Sequence, residues 1–206
     1  MCLTVFLSLG TTALAVGTPT DFVQVDSFNS IFPGIRGESL HFSSVDDETG
    51  IANSGLPIQT RQASGIIWSK TWYQGSAKVV EKATATGDAL LEEQFVKYLT
   101  SSWAKASSYT WSQTNTASWS ISSGADATVA SAVRVSLGLS ASRSTSYSTA
   151  VTIEADSSKY SKLGFASDYF KQNYTYTMTV DGTVARSENS YIKTPTIDTY
   201  VNVYYK

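Results

Sequence analysis

Between Tyr109 and Ile121 every even position is Ser or Thr, while the odd positions read Tyr, Trp, Gln, Asn, Ala, Trp and Ile. The same two-residue beat returns over 133–153, where the odd positions are Val, Val, Leu, Leu, Ala, Arg, Thr, Tyr, Thr, Val and Ile and the even ones are almost all Ser. Successive side chains of a strand point to opposite faces, whereas a helix repeats every 3.6 residues. The beat therefore restricts this stretch to strands with one hydroxyl face and one mostly apolar face. Two runs of roughly 13 and 20 residues are far longer than the usual strand of about five or six. Gly124-Ala125-Asp126 marks a turn between them, which predicts a long amphipathic hairpin over 109–153. With closure near 124–128, odd positions face odd positions. Trp119 then lies beside Val133 or Val135, and Arg143 beside Tyr109 or Trp111 within cation–π reach.

The rest of the chain supplies a setting for that hairpin. Further strands are expected at 163–169, at 174–180 turning at Asp181-Gly182, at 183–186 and at 199–205. One helix is expected at about 88–100. Thr86-Gly87-Asp88 offers a cap with Glu92 in reach, Leu90, Leu91, Phe95, Val96, Tyr98 and Leu99 recur at helical spacing, and Glu93 and Lys97 form an i,i+4 pair. Over 16–65 Gly, Pro, Asn and Asp punctuate the sequence every few residues, and both a loosely packed extension and a pro-segment stay open there. The fold class that results is mainly β: an elongated antiparallel sheet or β-sandwich with a long Ser/Thr-rich hairpin and one short α-helix. Residues 66–206 form a single β-rich domain, in keeping with a chain of 206 residues.

Residues 1–20 carry no charge, and an apolar run from Leu3 to about Val16 ends in Ala13-Leu14-Ala15 ahead of Thr18-Pro19. That is the pattern of a signal peptide over 1–15, whose basic first region is missing, as it would be if the true start lay upstream of Met1. At about 14 residues the run is too short to span a bilayer. Cleavage after Ala15 removes Cys2, the only cysteine, so no disulfide framework is expected. A secreted domain without disulfides suits the exterior of a Gram-positive cell.

Chemistry is scarce in the remaining sequence. Charged residues are only 16% of the chain, against about 25% in a typical soluble protein, and Ser and Thr fill the gap. A net charge of −2 without a basic patch leaves no footprint for nucleic acid. His41 is the only imidazole and reads as a partly exposed strand residue; no nucleophile elbow, phosphate-cradling glycine loop or cofactor motif is present. Asp46-Asp47-Glu48 lacks the alternating ligands of a calcium loop and reads as a solvated turn. The expectation is a non-enzymatic protein with no catalytic residues, no metal and no cofactor.

Two roles fit the hairpin itself. In a soluble sandwich the odd face is core and the hydroxyl face is wet. In a transmembrane barrel built by several copies, each hairpin turns its apolar face to lipid and its hydroxyl face to the lumen. The residues on that face are Trp111, Trp119, Ile121, Val133, Val135, Leu137 and Leu139. The hairpin, followed by Ser144-Thr145-Ser146-Tyr147-Ser148-Thr149-Ala150-Val151-Thr152-Ile153 and a turn into Lys162-Leu163-Gly164-Phe165, resembles the insertion region of aerolysin- and epsilon-toxin-like β-pore-forming proteins over about residues 106–180. That resemblance implies a Ser/Thr-rich loop that leaves an elongated sheet and pairs with its copies in a ring, so that the partners are a membrane and further copies of the chain. The alternative is a secreted adhesive or glycan-binding β-sandwich. There Trp68 and Trp72, four apart and on one strand face, form an exposed aromatic pair for a cell-surface glycan.

Overall fold

The computed structural model describes residues 24–25, 34–43, 65–147 and 149–206. The expected leader, the cleavage site after Ala15 and Asp46-Asp47-Glu48 lie outside them. The protein is mainly β. Its scaffold is the antiparallel pair β10 (Ser161–Val180) and β11 (Thr183–Tyr205), joined by Asp181-Gly182. Both turn residues have positive φ, 48° and 84°, the two-residue geometry whose twist matches the flanking strands. At about 3.3 Å per residue these strands run roughly 65–75 Å. The four strands expected at 163–169, 174–180, 183–186 and 199–205 are thus two continuous ones, bent by β-bulges near Asp168 and Met178 instead of being broken.

On its other edge β10 pairs with β4 (Ala77–Tyr98), and β4 with β3 (Gly65–Gln74). Residues 88–100 are therefore not a helix. Along β4 three bulges leave Thr86, Val96 and one of Glu92 and Glu93 without a single opposite residue. Each extra residue flips the inside–outside alternation, so the apolar pairs Leu90-Leu91 and Phe95-Val96 imitate a helical repeat while lying on an extended chain. Gly87 and Glu93 absorb the bulges at φ 144° and 46°. Asp168 fastens the second one: it accepts from the Glu93 backbone N–H at 2.7 Å with one carboxylate oxygen and from the Tyr200 hydroxyl at 3.3 Å with the other. Along β11, β2 (Ile35–Ser43) adds to the end nearest Tyr205, and the short β7 (Ser120–Ile121) adds near Ile192, with β1 (Gln24–Val25) parallel to β7.

Residues 99–160 interrupt two neighbouring strands, since β4 ends at Tyr98, opposite Gly164 of β10. This segment holds β5 (Ser108–Trp111), β6 (Asn115–Ser118), β7, helix α1 (Ala127–Ser136), β8 (Ser142–Thr145) and β9 (Val151–Glu154). It lies across one face of the long sheet. Trp119, Ile121, Val129, Ala130 and Val133 pack with Ala83, Tyr174, Tyr176 and Ile192 in one buried cluster. In a second, Ile153 packs with Leu163, Val201 and Val203, flanked by Leu40 and Phe42 of β2 and by Tyr109, Trp111 and Tyr147. Ala117 joins Phe165 and Tyr169 in a third. The reverse face carries its own aromatic group. Phe95 and Tyr98 pack edge to face with Tyr204 over Gly164, where a Cβ would come within 2.6 Å of the Tyr204 ring.

Candidate functional site

The predicted hairpin exists in part. β5 pairs with β9, Tyr109 opposite Ile153 and Trp111 opposite Val151; β6 pairs with β8, Asn115 opposite Thr145 and Ala117 opposite Arg143. Odd positions face odd positions, but several residues further along than closure near 124–128 allows, because α1 fills the loop. Residues 133–153 are not one strand. Asp126 caps α1 by accepting from the N–H groups of Thr128 at 2.8 Å and Val129 at 3.1 Å. Positions 129, 133 and 137, four apart, fit one helical turn and two strand steps equally well, so the alternation there was compatible with either. Val133 is accordingly a buried helix residue, and Val135 is 65% exposed on the helix's outer side. Leu137 is the helix C-cap, and with Leu139 it packs partly buried against the first cluster. Arg143 meets neither Tyr109 nor Trp111 across its ladder. The cation–π contact forms instead between the Arg134 guanidinium and Trp119, 4.9 Å apart.

The two faces of the segment are sharply unlike. On the inner side Asn115, Ala117, Trp119 and Ile121 are all at most 2% exposed. On the outer side Thr110 meets Thr152, Thr114 meets Ser146 and Thr116 meets Ser144, with hydroxyl oxygens 2.8 to 3.2 Å apart. The outer surface of both ladders is thus a stack of cross-strand hydroxyl pairs. Ala117, Val129, Ala130, Tyr147 and Ile153 belong to the buried face too, and only the Asp126 cap signals where Val129 and Ala130 go.

Besides the short β7–β11 ladder and the backbone bonds at its root, polar contacts tie the segment to the sheet at several points. Thr145 and Thr199 hydroxyls lie 2.9 Å apart, the Ser122 N–H donates to the Tyr191 carbonyl at 3.1 Å, and the Tyr109 hydroxyl donates to the Ser161 carbonyl at 2.8 Å. Between segment and sheet a cavity of about 120 Å³ remains, bounded by Ser118 and Ser120 on one side and Gln94, Val96, Tyr169 and Lys193 on the other. Among the described residues the buried indole N–H of Trp119 and the Nε of Arg143 find no hydrogen-bond acceptor. Each such group costs about 1–3 kcal/mol relative to a satisfied one. Burial pushes the Tyr147 phenol up, and that of Tyr174 beneath α1 up to about 12.

Trp68 and Trp72 share a face of β3 as expected, but both are half-buried. Trp68 packs against the first cluster, and the Trp72 indole donates to Glu81 at 3.1 Å, so they do not form a free exposed pair. His41 is an exposed strand residue stacked on Tyr200, with its Nε2 2.9 Å from Asp198. Among the described residues no group of three or more His, Cys, Asp or Glu could hold a metal ion, and no helix is long and apolar enough to cross a membrane. Set against family models, curated proteins and solved structures, the chain has no match.

Proposed function

We propose that the protein is a secreted, non-enzymatic β-protein that acts on membranes, and that residues 109–153 leave the sheet to form a transmembrane hairpin. The observation that carries this reading is topological: an alternating hydroxyl–apolar segment is inserted between two strands that are already neighbours, and it is rooted at one end of them. Drawn out, it continues β4 and β10 as one longer hairpin, with no strand exchanged and no chain threaded. In lipid every backbone N–H and C=O must be paired, and one hairpin leaves two open edges, so the membrane form is a closed ring of several copies. Trp111, Trp119, Ile121 and Ala117 then turn from the sheet to lipid, and the hydroxyl stack of the outer face lines water. Helix α1 unwinds to lengthen both arms, bringing Val133, Leu137 and Leu139 to the lipid side. The unsatisfied Trp119 and Arg143 atoms and the two isolated four-residue ladders support a segment held less tightly than the scaffold.

A disulfide tests it. The Thr145 and Thr199 hydroxyls are close enough for Thr145→Cys with Thr199→Cys to tether the segment to β11, in a Cys2→Ser background. The expected outcome is dye release from liposomes by the reduced protein and none by the oxidised protein. Equal release in both states refutes departure of the segment.

A further inference from the structure

The end of the sheet where the segment is rooted carries an unusual pairing of charges and rings. Lys162 lies over Tyr98 at 4.6 Å and over Trp103 at 5.5 Å, Lys105 over Tyr160 at 5.4 Å, and Lys159 over Tyr205 at 5.5 Å. These residues are scattered in sequence but gathered by the strand register: Ala104 bridges to Ser161, Ser161 pairs with Tyr205, Lys162 with Tyr204, and Tyr98 with Gly164. Tyr160 is 53% exposed, and Lys105 and Lys159 are exposed as well. Of the acids nearby, Asp156 is tied to Lys159 at 3.1 Å and Glu154 faces solvent on β9. In a chain of net charge −2, Lys105, Lys159 and Lys162 are thus collected at one end and interleaved with aromatic rings, beside Lys206, whose backbone N–H donates to the Tyr160 carbonyl at 2.9 Å.

We propose that this end is a docking surface for the anionic phospholipid headgroups of a membrane. Ammonium groups on flexible four-carbon stems attract phosphate and carboxylate headgroups, while Tyr and Trp rings settle at the depth where one end is apolar and the other wet. The orientation rests on the pore-forming reading: β4 runs into this end and β10 leaves from it, so a hairpin that continues both strands emerges here. The charge pattern is observed and the direction of emergence follows from that reading, and both select the same end.

The test is co-sedimentation of the full chain with vesicles of phosphatidylcholine alone or mixed with phosphatidylserine, without any requirement for leakage. Binding is expected to need phosphatidylserine, to fall with added salt, and to weaken about fivefold for each lysine neutralised. The variants are Lys105→Gln with Lys159→Gln, both on exposed side chains, and the same pair with Lys162→Gln. Lys78→Gln with Lys82→Gln removes equal charge from the opposite end of β4 and should leave binding unchanged. Absence of binding, indifference to the three lysines, or equal loss in the control pair overturns the proposal. The two readings fail separately. Vesicle binding without dye release in any condition removes the pore and keeps the docking surface, whereas unaltered dye release by the triple variant does the reverse.

Discussion

Single atoms decide much of how the scaffold tolerates change. Gly164 is the clearest case, because a methyl group there meets Tyr204 Cε2 at 2.6 Å and Phe95 Cε2 at 3.2 Å, and Tyr204, 3% exposed, has nowhere to swing. Gly164→Ala is expected to cost about 1–3 kcal/mol, read as a lower urea midpoint at unchanged slope. With Tyr147, Tyr200 and Tyr204, Tyr174 is one of several phenols raised by burial that bear on the alkaline limit. Burial first, then the Glu188 and Asp126 carboxylates, raise its phenol to about 12, against a hydrogen bond with Ser190 that lowers it. The native state therefore keeps a proton that the unfolded chain releases near pH 10. Stability from this group is complete below about pH 10 and is lost as pH rises through about 12. Tyr174→Phe should flatten the fall in urea midpoint between about pH 10 and about pH 12. That Trp111, Trp119 and Ile121 share one face could be read from the alternation alone, because a strand's faces are fixed by parity; that this face lies on the sheet could not, since its cover comes from β10 and β11. The need for glycine at 164 could not, since its neighbours come from β4 and β11.

At the scale of elements, the segment and the scaffold differ in how their backbones are protected. β10 has a partner along nearly its whole length on both sides, while β5 with β9 and β6 with β8 are two-stranded ladders of four residues each. Hydrogen exchange should therefore be fast at residues 108–118 and 142–154 and slowest in the middle of β10; uniform protection would contradict a loosely held segment. Asp126→Ala removes the α1 cap and should cost about 1 kcal/mol, measurable as a shift in the same urea midpoint. The mainly-β class and the Asp181-Gly182 turn were legible because both depend on neighbours in sequence. The two errors of element type have one root: local periodicity is ambiguous wherever something shifts its phase. Bulges at Thr86, Glu92-Glu93 and Val96 made a strand imitate a helix, and the spacing of 129, 133 and 137 let a helix imitate a strand. The capping signal of Asp126 was present, but Gly124-Ala125-Asp126 also serves as a hairpin turn, and only the tertiary fit of Val129 and Val133 against Tyr174 decides between them.

For the whole molecule, the segment and the scaffold are halves of one interior. Leu163, Val201 and Val203 are at most 1% exposed, and Ile192 and Tyr174 likewise, because the odd face of the segment lies on them. Any event that lifts the segment uncovers two apolar surfaces at once. A bilayer covers only the one that travels; the other stays behind on the scaffold, facing water. On the pore-forming reading proposed above, the scaffold face is a latent adhesive, silent while the segment is seated and uncovered in step with its departure, so that each copy would become sticky at the moment it needs neighbours.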